Sequence, residues 1–174
     1  MAEKYVIGID GGTQSSKVSI FDLRGNLICS EVAQLQPIQF CDQGTATHPN
    51  DDVWDSIASA CRQAMKSFPY NPKDIIGAGL CTIRCCRVLL DHQGALLHPV
   101  ISWMDPRLSQ PYQHEDQRVG YVTTTSGYVG HRLTGEFNNT AANYEGVWPI
   151  DKHTWQWTSQ QAVFKDCNLS LIHI

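Results

Sequence analysis

Apolar positions along the chain follow two different periods. "KYVIGID" (4–10) is β-branched and runs into Asp-Gly-Gly, which predicts a buried strand entering a turn. "KVSIFDL" (17–23) alternates, with Val18, Ile20 and Asp22 on one face and Ser19 and Phe21 on the other. "RGN" (24–26) reads as a hairpin turn, since Gly25 and Asn26 both tolerate positive φ, and "LICSEVAQLQ" (27–36) as a third strand. Together these segments predict an antiparallel meander.

The period then lengthens. Over 48–68, Val53, Ile57, Cys61, Ala64, Met65 and Phe68 recur at helical spacing and form one apolar stripe. Asn50 is the expected cap, and Asp51 and Asp52 suit the positive end of the helix dipole. "DIIGAGLCTI" (74–83) predicts a further buried strand. "RVLLD" (87–91) and "ALLHPVISW" (95–103) predict a hairpin around "HQG". "WMDPR" (103–107) is a loop, because Pro106 disfavours helix at Asp105. "LSQPYQHEDQRVG" shows no clear pattern. "TTTSGYVGHRLTGEF" (123–137) predicts a helix that stops at Gly135. Residues 138–158 are loop-rich, and 159–167 predict a short helix. The last residues, "NLSLIHI", fit nothing before them. A genuine strand and the end of a shifted reading frame both stay open there.

Composition narrows the class. A chain of 174 residues with 42% apolar content and five tryptophans can build a core, as one domain or as part of a larger protein. No apolar run approaches the roughly 18 residues a membrane span needs. The N-terminus has no basic segment ahead of a long apolar run, so no secretory signal is expected. A net charge of −4 argues against a general nucleic-acid binder. Seven cysteines, odd in number, read as reduced and mostly buried thiols of a cytoplasmic protein. Cys81, Cys85 and Cys86 lack the C-x-x-C spacing of zinc sites, and small buried side chains are the expected reading.

The chemistry lies in "IGIDGGTQSSK" (7–17). Gly11 and Gly12 remove two side chains where the backbone leaves a strand, so their N–H groups can face an anion. Thr13, Gln14, Ser15 and Ser16 add donors, and Lys17 adds a positive charge. Asp10, at the strand end, can reach a divalent cation directly or through water. These parts suit a magnesium–polyphosphate ligand. A strand follows rather than a helix, so this is neither the Gly-x-x-x-x-Gly-Lys-Ser/Thr loop nor the dinucleotide fingerprint. By itself the stretch also reads as a plain hairpin turn.

Strand, Asp-Gly-Gly-Thr-x-x-x-Lys, strand, turn, strand resembles the first phosphate-binding hairpin of the actin-like ATPases, and within them the FGGY carbohydrate kinases. Three further pieces follow in family order. "IIGAGLCTIRCCRVLLDHQGALLHPVISWMDPR" is similar to the family's strand–hairpin segment with its Trp-x-Asp-x-Arg loop. "GYVGHRLTGEF" resembles the helix ending in Arg-Leu-Thr-Gly. "NNTAANYEGVWPIDKHTWQW" resembles the loop that follows it. The resemblance spans about residues 4–158 and implies an α/β, ribonuclease H-like (actin-like) domain with a mixed sheet flanked by helices, incomplete at its C-terminus.

It further implies ATP-dependent phosphorylation of a sugar or polyol hydroxyl, with ATP and Mg²⁺ as cofactors. Gly11, Gly12, Thr13, Gln14, Ser15 and Lys17 would hold the ATP phosphates, and Asp10 the Mg²⁺. Arg84, Trp103, Asp105 and Arg107 would face the sugar. Trp103 could equally be core, and Asp105 with Arg107 either a loop brace or a surface pair of little energetic value.

The pattern also departs from the family. Family members run two or three times longer, and their catalytic aspartate and second phosphate loop lie beyond the matched region. The expected organisation is an N-terminal actin-like domain over 1–167, shortened near 108–122, then a tail at 168–174, with no C-terminal domain. Ala141 stands where an aspartate is usual. No catalytic residue is therefore assigned, and the isolated chain is expected to be inactive. Two alternatives stand beside this: a non-catalytic phosphate- or sugar-binding module, and an unstable truncated product. Cys85 stands where glycerol kinases carry an acidic residue, and "TIRCC" lacks the Met-His pair of xylulose-type enzymes. That points to an uncharacterised branch, nearest a bacterial sugar kinase, with a small-molecule substrate, no nucleic-acid or membrane partner, and an oligomeric state that the residues do not encode legibly.

Overall fold

The β-strands and helices of the chain, seen in a computed structural model, are described for residues 3–41, 44–110, 112–144, 151 and 153–155. In chain order they are β1 (Tyr5–Gly11), β2 (Ser15–Asp22), β3 (Leu27–Gln34), β4 (Gln39–Phe40), β5 (Ala46–Thr47), α1 (Asp52–Ser67), β6 (Ile75–Thr82), β7 (Val88–Leu90), β8 (Tyr121–Thr123), α2 (Thr125–Thr134) and α3 (Ala141–Tyr144). The chain divides into two compact units, residues 1–37 with 52–83, and residues 38–51 with 84–174.

The first unit is a four-stranded sheet in the order β3-β2-β1-β6, covered by α1. The meander is present: β1 pairs antiparallel with β2, and β2 with β3. β6 returns parallel to β1, so the sheet is mixed. Asp22 sits buried beside Val18 and Ile20, and its carboxylate accepts from the N–H groups of Arg24 and Asn26. That closes the hairpin turn; Gly25 takes a φ of +86°, whereas Asn26 is absent from the positive-φ residues. The stripe on α1 buries Val53, Ile57, Ala64 and the following Phe68, with Cys61 and Met65 half-buried. A buried bond of 2.8 Å between Ser16 Oγ and Ser56 Oγ ties β2 to the helix.

Four expectations change. β6 is not a buried strand: it is the sheet's outer strand, α1 lies over β1 to β3, and Ile76 is 58% exposed. Asn50 does not cap α1. It precedes Asp51 with a φ of +51°, outside the extended backbone that a cap needs. Asp51 also turns its carboxylate elsewhere, while Asp52 is buried and accepts from Gln36 N–H at 2.7 Å. Of the described cysteines only Cys86 is buried; Cys41, Cys81 and Cys85 are exposed and all six are free. Burial pushes the Cys86 thiol up to about 12, so it remains protonated. Finally, β8 falls between the unpatterned stretch 108–120 and the predicted helix, and takes Thr123 out of that helix.

In the second unit β7 pairs with β8, and β4 with β5. The predicted hairpin around "HQG" is present, with Leu97 N–H donating to Leu89 O and Leu90 bridging Leu96. α2 begins at Thr124, whose hydroxyl accepts from Gly127 N–H, and ends at Gly135 in the left-handed region, φ +79°. Tyr128, fully buried on α2, donates its hydroxyl to Asp51, and Arg132 Nη1 donates to the same carboxylate at 2.7 Å. The predicted helix at 159–167 and the tail at 168–174 lie outside the described residues. No described helix is long and apolar enough to cross a membrane.

Candidate active site

β1 and β2 meet at the turn Gly12–Gln14. Alternation along β1 places Tyr5, Ile9 and Gly11 toward α1 and Asp10 on the opposite face. Across the ladder, Asp10 stands directly opposite Lys17. Both are exposed and share a shallow concavity of about 560 Å³ with Gly8, Ser19, Phe21 and Cys81. Opposite charges facing each other at a strand end offer a cation ligand and an anion ligand side by side.

Two close approaches define the glycines. A Cβ on Gly11 would lie 3.0 Å from Ile57 Cδ1, and one on Gly12 would lie 2.9 Å from the Ser15 carbonyl oxygen. The Gly12 N–H is already used, donating to Ser15 O at 2.9 Å, so the expectation that it faces a ligand is corrected. The turn-tip N–H groups of Thr13 and Gln14 donate to no acceptor among the described residues. They, with the Thr13 hydroxyl and Lys17 ammonium, are the donors the hairpin presents. Gln14 O accepts from Leu35 N–H, which pins the turn to the end of β3.

The residues assigned to the sugar all fall in the second unit, where Asp105 and Arg107 are joined and Arg84 reaches α3. Trp103 is 52% exposed and therefore not core. Asp105 is 3% exposed, and its two oxygens are fully engaged. Oδ1 accepts from Arg107 N–H and Nε at 2.9 and 2.8 Å, and Oδ2 from Arg107 Nη2 and Ala46 N–H, both at 2.7 Å. Asp105 is thus a brace: it caps the 3₁₀ turn at Pro106–Ser109, fixes the Arg107 guanidinium and holds β5. Burial alone would raise its carboxyl; the bonds from Arg107 and Ala46 outweigh it, and the net shift is downward. Arg84 donates to Ala142 O of α3 at 3.1 Å. Cys85, next to it, carries a φ of +64°, a strained conformation for a side chain other than glycine.

An Asp105→Asn variant is expected to lose about 1–3 kcal/mol at neutral pH, because a buried donor loses its charged acceptor. The sign with pH follows from the depressed carboxyl. Its contribution is complete above the unfolded value near ~3.9 and fades as pH falls through the lower folded value. Denaturant unfolding of both forms checks this. The gap between them should hold from neutral pH down to about 4 and close only in stronger acid.

Ser16, expected to offer its hydroxyl to a ligand, is instead buried and bonded to Ser56, which anchors the hairpin to α1; Ser56 escaped the sequence reading. The only trace is that Ser16 falls on the same alternating face as Val18 and Ile20. The described residues contain no cluster of His, Cys, Asp or Glu able to hold a metal by itself.

Residues 5–115 match the description "FGGY family of carbohydrate kinases, N-terminal domain". The chain is 48% identical over 169 residues to "Uncharacterized sugar kinase YgcE" of Escherichia coli (strain K12), covering 97% of this chain and 34% of that protein. It is 33% identical over 109 residues to a glycerol kinase of Corynebacterium glutamicum (strain R), covering 62% and 21%. Among solved structures, gluconate kinase from Lactobacillus acidophilus superposes with a TM-score of 0.80 at 15% identity, covering 97% of this chain and 40% of that one. Xylulose kinase from Rhodospirillum rubrum does so with a TM-score of 0.78 at 18% identity, covering 95% and 41%. At such identities the likeness establishes the actin-like fold. The chain spans about a third of the length of its curated sugar-kinase relative. On the match over 5–115, the chain belongs to the FGGY family of carbohydrate kinases.

Proposed function

We propose that these residues form the N-terminal, phosphate-gripping part of a kinase that transfers the γ-phosphoryl group of ATP to a hydroxyl of a small sugar or polyol. The observation that carries this reading is the β1–β2 turn. There Gly12 leaves no room for a side chain, two backbone N–H groups stand open at the tip, and Asp10 faces Lys17 at its base. Thr13, Gln14, Ser15 and Lys17 hold the phosphates around Gly11 and Gly12, and Asp10 is the Mg²⁺ ligand. Bound there, Mg²⁺ would neutralise charge on the phosphate oxygens. Arg84, Trp103 and Arg107 meet the sugar hydroxyls, and Asp105 keeps the Arg107 fork aimed. No described residue is assigned as the base that takes the hydroxyl proton, or as the other side of the nucleotide cleft.

The organisation expected from the residues, an actin-like domain over 1–167 shortened near 108–122, belongs to this proposal. So do a cytoplasmic setting, where ATP is at hand, and a small molecule rather than nucleic acid or lipid as partner. Calorimetry with magnesium–ATP tests the phosphate grip. Lys17→Ala removes a charged donor and is expected to weaken binding by roughly 10- to 100-fold, the size of a hydrogen bond to a charged group. Asp10→Ala should reduce the magnesium dependence of the same affinity. Unchanged binding in both variants would remove the reading. In a coupled assay over a sugar and polyol panel, the 174 residues alone are expected to bind without turnover.

A further inference from the structure

Arg87 and Arg107 share one concavity of about 480 Å³ in the second unit, with Gln110, Tyr112, Glu115 and Asp116 around it. Arg107 arrives already paired: Asp105 grips it through both oxygens. Arg87 does not. Its Nη2 donates to the Gln110 carbonyl oxygen at 3.1 Å and its guanidinium lies 5.6 Å from the centre of the Tyr112 ring. Among the described residues no carboxylate comes within ion-pair distance of it. Tyr112 is buried, so the guanidinium rests on a fixed aromatic face.

The charges around the concavity settle what it prefers. Asp116 is spent on Arg118, which it binds through both oxygens, and on His98 at 3.2 Å. Glu115 is exposed and makes no ion pair among the described residues. Two arginines therefore line one space, and of the two only Arg107 is paired with a carboxylate, Asp105. Burial lowers the Arg87 pKa; Tyr112 and Asp105 oppose that shift and the nearby Arg107 charge adds to it. A half-buried cation next to a like charge gains most from an oxyanion, and a planar fork matches one bidentately.

We propose that this concavity is an oxyanion subsite. It takes the carboxylate or phosphate-monoester group of a small polyhydroxylated molecule, with Arg87 recognising the charge and Gln110 and Tyr112 shaping its seat. The inference deepens the kinase reading by naming an anionic class of sugar ligand, and rests on that reading only for the role of Arg107.

The test needs no ATP, so it fails separately from the phosphate grip. The 174-residue chain is titrated at low salt with D-gluconate, glycerol 3-phosphate and neutral glycerol, in the wild type, Arg87→Gln and Glu115→Gln. One or both anions should bind and glycerol should not compete; which anion binds names the source of the charge. Arg87→Gln should weaken the anion at least about 10-fold, the scale of a charge-assisted contact. Glu115→Gln should tighten it, because a repelling carboxylate leaves the rim, and this exposed position reports even if Arg87→Gln misfolds. Binding of neither anion to the wild type, equal binding of glycerol, or an unchanged affinity in Glu115→Gln would each overturn the proposal.

Discussion

Replacing Ile57 with alanine lowers stability by about 2–5 kcal/mol, the range for emptying a buried aliphatic site. Ile57 is 0% exposed, at the middle of the α1 stripe. Its Cδ1 occupies the space that a Cβ on Gly11 would need, at 3.0 Å, so helix and phosphate turn pack against each other at this side chain. Denaturant unfolding followed by circular dichroism measures the loss. Ile57→Val removes only that methyl group and should cost about 0.5–1.5 kcal/mol. Combined with Gly11→Ala, it should recover part of the overpacking that Gly11→Ala causes alone, since the two positions touch. A loss below about 1 kcal/mol for Ile57→Ala would mean that the site collapses freely and that α1 does not fix the turn.

The second large effect falls on ligand binding. Gly12→Ala is expected to weaken magnesium–ATP binding by at least about 10-fold, the equivalent of one good hydrogen bond. The added Cβ meets a backbone oxygen, Ser15 O at 2.9 Å, which cannot swing away as a side chain would. The turn must open, the Gly12 N–H to Ser15 O bond lengthens, and the Thr13 and Gln14 N–H groups lose their common direction. Overpacking should also cost about 1–3 kcal/mol of stability. Gly77→Ala is the control: nothing lies within 4 Å of its Cβ, so binding should not change and stability should hold or rise slightly. Equal loss in both variants would show that the effect is not local to the turn.

Most of the first unit was legible because its periods are clean. Strand alternation placed Val18, Ile20 and Asp22 correctly, and the α1 stripe predicted its buried face. Burial of β6 was misread because an apolar strand of low charge looks the same at the centre of a sheet as at its edge; only pairing order separates them. Asn50 was a reasonable cap by residue type, but its backbone is left-handed, and the next residue, Asp51, is held by Tyr128 and Arg132. Types and spacing marked Asp10 and Lys17 as candidates. That they face each other across a ladder, and that Gly12 spends its N–H inside the turn, needed coordinates. Arg87, at the start of the run 87–91, was not among the candidate residues. Its place beside Tyr112 depends on a contact 25 residues along the chain.

Asp51 and Asp52 are neighbours in sequence that answer to different units, the first to Tyr128 and the second to the backbone at Gln36. The chain crosses between units at 37/38, 51/52 and 83/84, so no single cut separates them. During synthesis the segment 38–51 leaves the ribosome well before what it binds. Asp51 waits 77 residues for Tyr128, and Ala46 waits 59 for Asp105. The first unit is complete once residue 83 has emerged, while segment 38–51, whose β4 and β5 pair with each other, still lacks its later partners. Closure of the second unit is the late, long-range step, and a chain halted before Tyr128 carries that segment unsatisfied.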